Sequence, residues 1–172
     1  KIFTGVSTDS RTVQAGELFF ALKGEHFDGH EMCHAAHQLG AVGSIIESEV
    51  DATKPYVKVA DTRIALGDLA HHWRKKHDVK LVGVTGSNGK TTVKEMLASI
   101  VQESGNVLAT KGNFNNDIGL PRTLFELSDE HQFAVIEMGA NHVGEIENLA
   151  RIAEPQVGIV TLCAPAHLEG FG

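Results

Sequence analysis

The sequence predicts an α/β protein in two parts: a small α/β domain over residues 1–78, then a P-loop-type parallel-sheet domain over residues 79–172. Three observations carry this prediction. Short apolar runs alternate with helical stretches along the chain. After Asp78 the alternation of strand and helix becomes regular. The turn Gly86-Ser87-Asn88-Gly89-Lys90-Thr91-Thr92 joins the apolar run Leu81-Val82-Gly83-Val84 to a helix-forming stretch from Val93 to Val101.

In the first part, Leu18–Leu22, Val42–Ile46 and Tyr56–Val59 read as strands, and a helical segment runs from about Glu31 to Leu39 between the first two. Asp61-Thr62 reads as the cap of a helix reaching about His77, with Ile64, Leu66, Leu69, Ala70 and Trp73 on its apolar side and His71, His72 and His77 on its solvated face. Beyond Asp78 the pattern gives strand 80–85, helix 91–103, strand 106–109, strand 133–138, helix 143–153 and strand 157–162. Gly112-Asn113-Phe114-Asn115-Asn116-Asp117-Ile118-Gly119 has no periodicity and reads as a loop.

Composition narrows the function classes. The 172 residues carry 15 Lys and Arg against 22 Asp and Glu, a formal charge of −7, and the largest basic block is Arg74-Lys75-Lys76. Non-specific nucleic-acid binding is therefore not expected. No apolar run is long enough to span a membrane, and Cys33 and Cys163 are far apart with no secretory segment, so a reduced cytoplasmic protein is expected. A start at Lys1 without Met and an end at Gly172, soon after a strand-like run, point to a piece of a longer protein.

The turn at 86–92 has the residues a phosphate loop needs. Small residues let backbone N–H groups curl around a polyphosphate, and the helix N-terminus adds a favourable dipole. Lys90 can reach the terminal phosphates, and the Thr91 hydroxyl can ligate Mg²⁺. The strict G-x-x-x-x-G-K-[ST] pattern is missed, because its first glycine falls on Val84. In an open parallel sheet, ligands gather beyond the carboxyl ends of the strands. Glu137, ending Phe133-Ala134-Val135-Ile136, and His167, after Val157-Gly158-Ile159-Val160, belong at that same end. A carboxylate there suits Mg²⁺, and a neutral imidazole suits a second divalent ion.

These residues resemble the ATP-dependent Mur ligases of peptidoglycan synthesis. The resemblance rests on Ser7-Thr8-Asp9-Ser10-Arg11, Gly16 to Gly24, Phe27-Asp28-Gly29-His30, Thr85 to Thr92, Gly112 to Pro121, Ile136 to His142 and Ala166 to Gly172. The stretches Gly112 to Pro121 and Glu137 to His142 resemble most the family member that joins D-alanyl-D-alanine to UDP-N-acetylmuramoyl-tripeptide. The resemblance implies a UDP-substrate domain at the amino terminus, with Ser10, Arg11, Lys23, Asp28 and His30 at or near the UDP end. It implies ATP on Gly86, Ser87, Asn88, Gly89, Lys90, Thr91 and Thr92, one Mg²⁺ at Thr91 and Glu137, and a second at His167. Asn113, Asn115, Asn116, Asn141 and His142 would line the route between ATP and the peptide carboxylate, with Lys90, Glu137 and His167 as the catalytic set.

Two departures from the family pattern stand out. Thr161-Leu162-Cys163 supplies no Asn where the family often has one, and the chain stops before the carbamylated lysine and the carboxy-terminal domain expected downstream of His167. The expectation is a chain that binds its ligands without catalysing the full reaction. Other readings compete with it: a Mur-type ligase adding the third amino acid, a small P-loop kinase or a nucleotide-binding module without chemistry. Folate polyglutamate ligases share the central chemistry but lack the Ser-Thr-Asp-Ser-Arg and Phe-Asp-Gly-His segments. His30-Glu31-Met32-Cys33-His34 formally satisfies the zinc-protease pattern H-E-x-x-H, yet the residues after His34 do not supply a metzincin third ligand.

Overall fold

The computed structural model describes residues 3–50 and 54–164, and His167 lies outside them. By internal contacts the chain divides between Leu66 and Gly67 into two compact units. The division falls inside a helix, whereas the sequence rhythm placed the change near residue 78.

The first unit is built on a four-stranded parallel sheet in sequential order, β1 (Val6–Ser7), β2 (Leu18–Phe20), β3 (Gly43–Ile46) and β4 (Tyr56–Lys58). β1 was not legible in the sequence, because two residues are too few to show alternation. Phe19, Ala21, Ile46, Val13 and Ala41 form the core together with Cys33 and Ala36 of α1 (Cys33–Gln38). The expected helix from Glu31 is shorter: Gly29–Met32 is a turn of 3₁₀-helix leading into α1.

α2 (Thr62–Arg74) begins as expected at Asp61, whose carboxylate accepts from the N–H groups of Arg63 (2.8 Å) and Ile64 (2.9 Å). Leu66 and Ala70 are fully buried, but Ile64 is exposed. Trp73, expected in the core, lies at the surface with its indole N–H donating to the Leu127 carbonyl. Arg74 is instead the buried residue of this turn. Its guanidinium donates to the carbonyls of Ala153, His77 and Val79, and burial pulls its pKa below the usual arginine value. The basic triplet is thus one structural arginine and two surface lysines. His77 also departs from the solvated face: its side chain is 9% exposed, pairing with Asp129 and standing edge-on to Trp73.

The second unit holds β5 (Lys80–Thr85), α3 (Lys90–Gln102), β6 (Val107–Ala109), α4 (Gly119–Leu124), β7 (Phe133–Glu137), α5 (Glu145–Ala153) and β8 (Val157–Val160). Its sheet is parallel with order β6-β7-β5-β8. Leu81, Ala134, Ile136, Leu120, Leu124, Leu149 and Ile152 belong to one continuous core. α4 is the element missing from the sequence reading. It is six residues long and contains Pro121, but Pro121 sits in the first turn, where a helix has no use for the N–H. The Asn116 side-chain oxygen starts it, accepting from the N–H groups of Ile118 and Gly119.

Candidate active site

β5 and β7 are neighbours, with Val84 registered opposite Glu137. The loop leaving β5 and the carboxylate ending β7 are therefore brought to one place by strand pairing alone. Gly86 (φ +134°) and Gly89 (φ +80°) adopt backbone conformations open to glycine, and Gly89 directly precedes α3. Gly86 is constrained twice, since a Cβ there would lie 2.3 Å from Thr161 Oγ1 and 3.0 Å from the Leu162 backbone. Val84, where the strict motif has glycine, is a fully buried strand residue, so in this chain the turn begins two residues later.

The chain after β8 straps this loop. Ser87 N–H donates to the Leu162 carbonyl (2.8 Å), the Ser87 hydroxyl to the Ala164 carbonyl (2.8 Å), and the Thr161 hydroxyl to the Asn88 carbonyl (2.5 Å). Thr161, in the stretch where the family often carries an Asn, thus contacts the phosphate loop. Sequence reasoning registered only the missing Asn.

Lys90 folds over the loop, its ammonium donating to the Gly86 carbonyl (2.7 Å). The Thr91 hydroxyl donates to Glu137 Oε2 (2.9 Å), and Asn115 Nδ2 donates to Glu137 Oε1 (2.8 Å). Glu137 is only 2% exposed, so both carboxylate oxygens are held by neutral donors in a buried setting. A hydroxyl and a carboxylate oxygen in contact are hard ligands suited to Mg²⁺, which takes few protein ligands and keeps waters and phosphate oxygens. Among the described residues there is no cluster of three or more His, Cys, Asp or Glu that could hold a metal.

Beside Lys90 opens a polar cleft of about 530 Å³, whose lining includes Asn113, Asn115, Asn116, Asn141, Gly139 and Glu145. The Gly139 N–H donates to the Asn115 carbonyl, and a Cβ on Gly139 would press on the Asn115 carboxamide at 2.9 Å. Asn116 is occupied in starting α4. Asn141 lines the cleft, and the backbone N–H groups of Asn141 and His142 are held by Glu145 Oε2. His142 is exposed beside it. Glu145 was not foreseen, nor was the buried Thr110, whose hydroxyl accepts the Glu137 N–H (2.9 Å).

In the first unit, parallel topology places Ser10 and Arg11 after β1, Lys23 after β2, and Glu47 and Ser48 after β3, at one end of the sheet. Asp9 holds Arg11 through both carboxylate oxygens (2.9 and 2.7 Å). The Lys23 ammonium donates to the Ser48 hydroxyl (2.8 Å) and lies 3.4 Å from Glu47. Glu47 also accepts the backbone N–H of Thr62, then its hydroxyl, and these bonds with Lys23 hold its carboxyl below the usual range. His30 is buried. Its Nε2 accepts the N–H groups of Glu47 (2.9 Å) and Ser48 (3.3 Å), so the other nitrogen, Nδ1, carries the proton given to Asp28. Burial pushes the Asp28 carboxyl up, but the His30 backbone N–H, its imidazole and Lys23 outweigh this and leave it below its ordinary value.

This geometry also explains the apparent zinc pattern. His30 turns inward to the 47–48 backbone, while His34 is exposed and bonded to Gln38. His37 is buried against Ser44. The two histidines of H-E-x-x-H are not brought onto a common ligand.

A glycine-shaped strand-to-helix turn at the carboxyl end of a central parallel strand, with a buried carboxylate on the adjacent strand end, is the arrangement of P-loop folds. Residues 84–172 match the Mur ligase middle domain, and residues 2–74 match the Mur ligase family catalytic domain. The chain belongs to the Mur ligase family. It is 49% identical over 172 residues to a UDP-N-acetylmuramoyl-tripeptide–D-alanyl-D-alanine ligase of Haemophilus influenzae, covering 97% of this chain and 38% of that protein. Identity to the protein of the same name in Escherichia coli is 47%, covering 97% of this chain and 37% of the relative. Among solved structures it is similar to MurF from Acinetobacter baumannii (TM-score 0.92, 44% identity, 99% of this chain and 37% of that one). It is also similar to a MurF ligase from Thermotoga maritima in complex with ADP (TM-score 0.89, 34% identity, 97% and 39%). The chain thus spans less than two fifths of the length of these relatives.

Proposed function

We propose that the protein to which this chain belongs joins D-alanyl-D-alanine to UDP-N-acetylmuramoyl-tripeptide at the expense of ATP, in peptidoglycan precursor and cell-wall synthesis. Support comes from the relatives' printed activity, and the single structural observation that carries it is the Lys90–Thr91–Glu137 arrangement beside a polar cleft of asparagines. In this reading residues 1–78 hold the UDP end of the substrate and residues 79–172 bind ATP, as the resemblance implied. The ADP complex of the Thermotoga relative supports nucleotide binding by the second unit.

The tripeptide's terminal carboxylate attacks the γ-phosphorus of ATP, giving an acyl phosphate and ADP. The amine of D-alanyl-D-alanine then adds to the acyl carbon, and the tetrahedral intermediate expels phosphate as the amide forms. The loop N–H groups and Lys90 hold the phosphates and offset their charge where it builds up. Thr91 and Glu137 would hold Mg²⁺, which when bound offsets phosphate charge and orients the γ-phosphoryl group. Asn113, Asn115 and Asn141 orient the acceptor end of the cleft, and Glu137 keeps Asn115 and Thr91 in register. His167, proposed for a second ion, lies outside the described residues.

We place the reaction in the cytoplasm, where ATP is available; both cysteines are free, and among the described residues no helix is long and apolar enough to cross a membrane. In the full-length protein, Lys90→Ala is expected to lower the rate of phosphate release in the presence of all three substrates by about 10²–10³-fold. Binding of UDP-N-acetylmuramoyl-tripeptide, measured by calorimetry, should be retained. Near-normal turnover in the variant would remove Lys90 from the reaction.

A further inference from the structure

α3 lies on the sheet, yet the one side chain it buries completely is a lysine: Lys94 is 1% exposed. An ammonium is a costly choice at a position where Leu or Met would pack, unless its charge is paired and its hydrogen bonds have a use. Lys94 Nζ lies 2.6 Å from Glu95 Oε1, a carboxylate on the solvent side with a 66% exposed side chain, and donates inward to the Thr110 carbonyl at 2.7 Å.

Thr110 is itself 1% exposed and sits one residue beyond β6. Its N–H still bonds the Val135 carbonyl of β7 (3.1 Å), but the ladder ends there. The next β7 donor on that side, the Glu137 N–H, is received by the Thr110 hydroxyl instead of by a strand carbonyl. One residue therefore grips β7 twice, and Lys94 fixes the peptide group from which it does so. Glu137 is the residue whose carboxylate meets Thr91 and Asn115.

We propose that Lys94 is a positioning residue for the Glu137 site: acting through Thr110, it sets the strand end on which the Glu137–Thr91 oxygen pair is built. The inference rests on the nucleotide-binding part of the reading above. Lys94 touches neither the phosphate loop's ligand nor the acceptor; its effect is on how well the oxygen pair presents itself to a divalent ion.

The test uses the full-length protein and a fluorescent ADP analogue, titrated with and without Mg²⁺. Lys94→Met is expected to leave metal-free ADP affinity unchanged and to raise the Mg²⁺ concentration needed for tight ADP binding by about 10–100-fold, the usual effect of losing an outer support of a metal site. Thr110→Val should act in the same direction, and Thr110→Ser, which keeps the hydroxyl, should restore the wild-type Mg²⁺ response. A purely structural Lys94 would lower the melting temperature while leaving the Mg²⁺ response alone. If Lys94→Met does not fold, the Thr110 pair decides: equal Mg²⁺ responses for the Val and Ser variants overturn the proposal, as does a folded Lys94→Met with wild-type Mg²⁺ dependence. A wild type that binds Mg²⁺·ADP but releases no phosphate with all three substrates would defeat the ligase reading alone.

Discussion

The two units put their polar residues to different use. In the second, the groups of the candidate site are organised by backbone: two positive-φ glycines shape the loop, strand register places Glu137, and Lys90, Thr91 and Asn115 converge on a cleft. In the first, most of the expected ligand residues are held by neighbouring side chains or backbone. His30, oriented by Asp28, holds the 47–48 backbone, Lys23 bonds Ser48 beside Glu47, and Asp9 clamps Arg11. Arg11 is exposed and keeps donor atoms to spare, whereas His30 is buried with both ring nitrogens bonded. Motif residues therefore stand differently in the two units: in one they converge on an open cleft, and in the other they partly form the frame of the sheet end.

The largest expected effect lies in the loop, where two glycines make a controlled comparison. Gly86→Ala forces a Cβ against Thr161 and the Leu162 backbone at a positive φ, whereas Gly89→Ala meets nothing within 4 Å and suffers only the positive φ. Gly86→Ala should abolish detectable ADP binding in a folded protein. Gly89→Ala should weaken it by about 1–2 kcal/mol, the cost of a left-handed backbone at an L-residue. Equal effects, read by calorimetry, would mean that the strap after β8 does not shape the loop.

A frame residue should behave in the opposite way. His30→Leu leaves the N–H groups of Glu47 and Ser48 and the Asp28 carboxylate without the imidazole, at a cost of about 1–3 kcal/mol per group left buried and unpaired. Denaturant melts should show the loss, while the ADP affinity of the other unit stays at the wild-type value. A variant as stable as wild type that binds the UDP-linked substrate poorly would make His30 a direct ligand.

A smaller effect comes from His37. Its burial, then Lys54 and His34, hold its imidazole below the ordinary histidine pKa of about 6.5, and its buried Nδ1 has no hydrogen-bond partner among the described residues. The unfolded chain thus binds a proton more readily than the folded one. The stabilisation is complete above the unfolded value and is lost as pH falls through the folded value. The melting temperature should decline as pH falls below about 6.5, and His37→Gln should flatten that slope; an unchanged slope would assign the decline to other groups.

How much was legible follows from the same contrast. The turn at 86–92, the strand before it and Glu137 were readable because a phosphate loop needs specific residues at fixed spacing in a strand-to-helix context. The second sheet was readable because its strands are apolar runs: β5 and β7 are largely buried, and β8 reads the same way although Val157 and Val160 are exposed. β1 was too short to show a period, and α4 was masked by Gly119 and Pro121. Lys94, Thr110 and Thr161 carry no motif: their importance lies in hydrogen bonds between elements far apart in sequence. Trp73 and Arg74 exchanged their expected places, since charge alone does not reveal that a guanidinium can satisfy three carbonyls where helix and strand ends meet.

The most direct test of the division of labour is amide hydrogen exchange on the full-length protein with each ligand alone. UDP-N-acetylmuramoyl-tripeptide should protect amides around residues 10–11, 23–30 and 47–48 and leave 86–92 unchanged, while Mg²⁺·ADP should protect 86–92 and the end of β7 and leave the first unit unchanged. Protection of the phosphate loop by the UDP-linked substrate alone, with none in residues 10–48, would contradict the account.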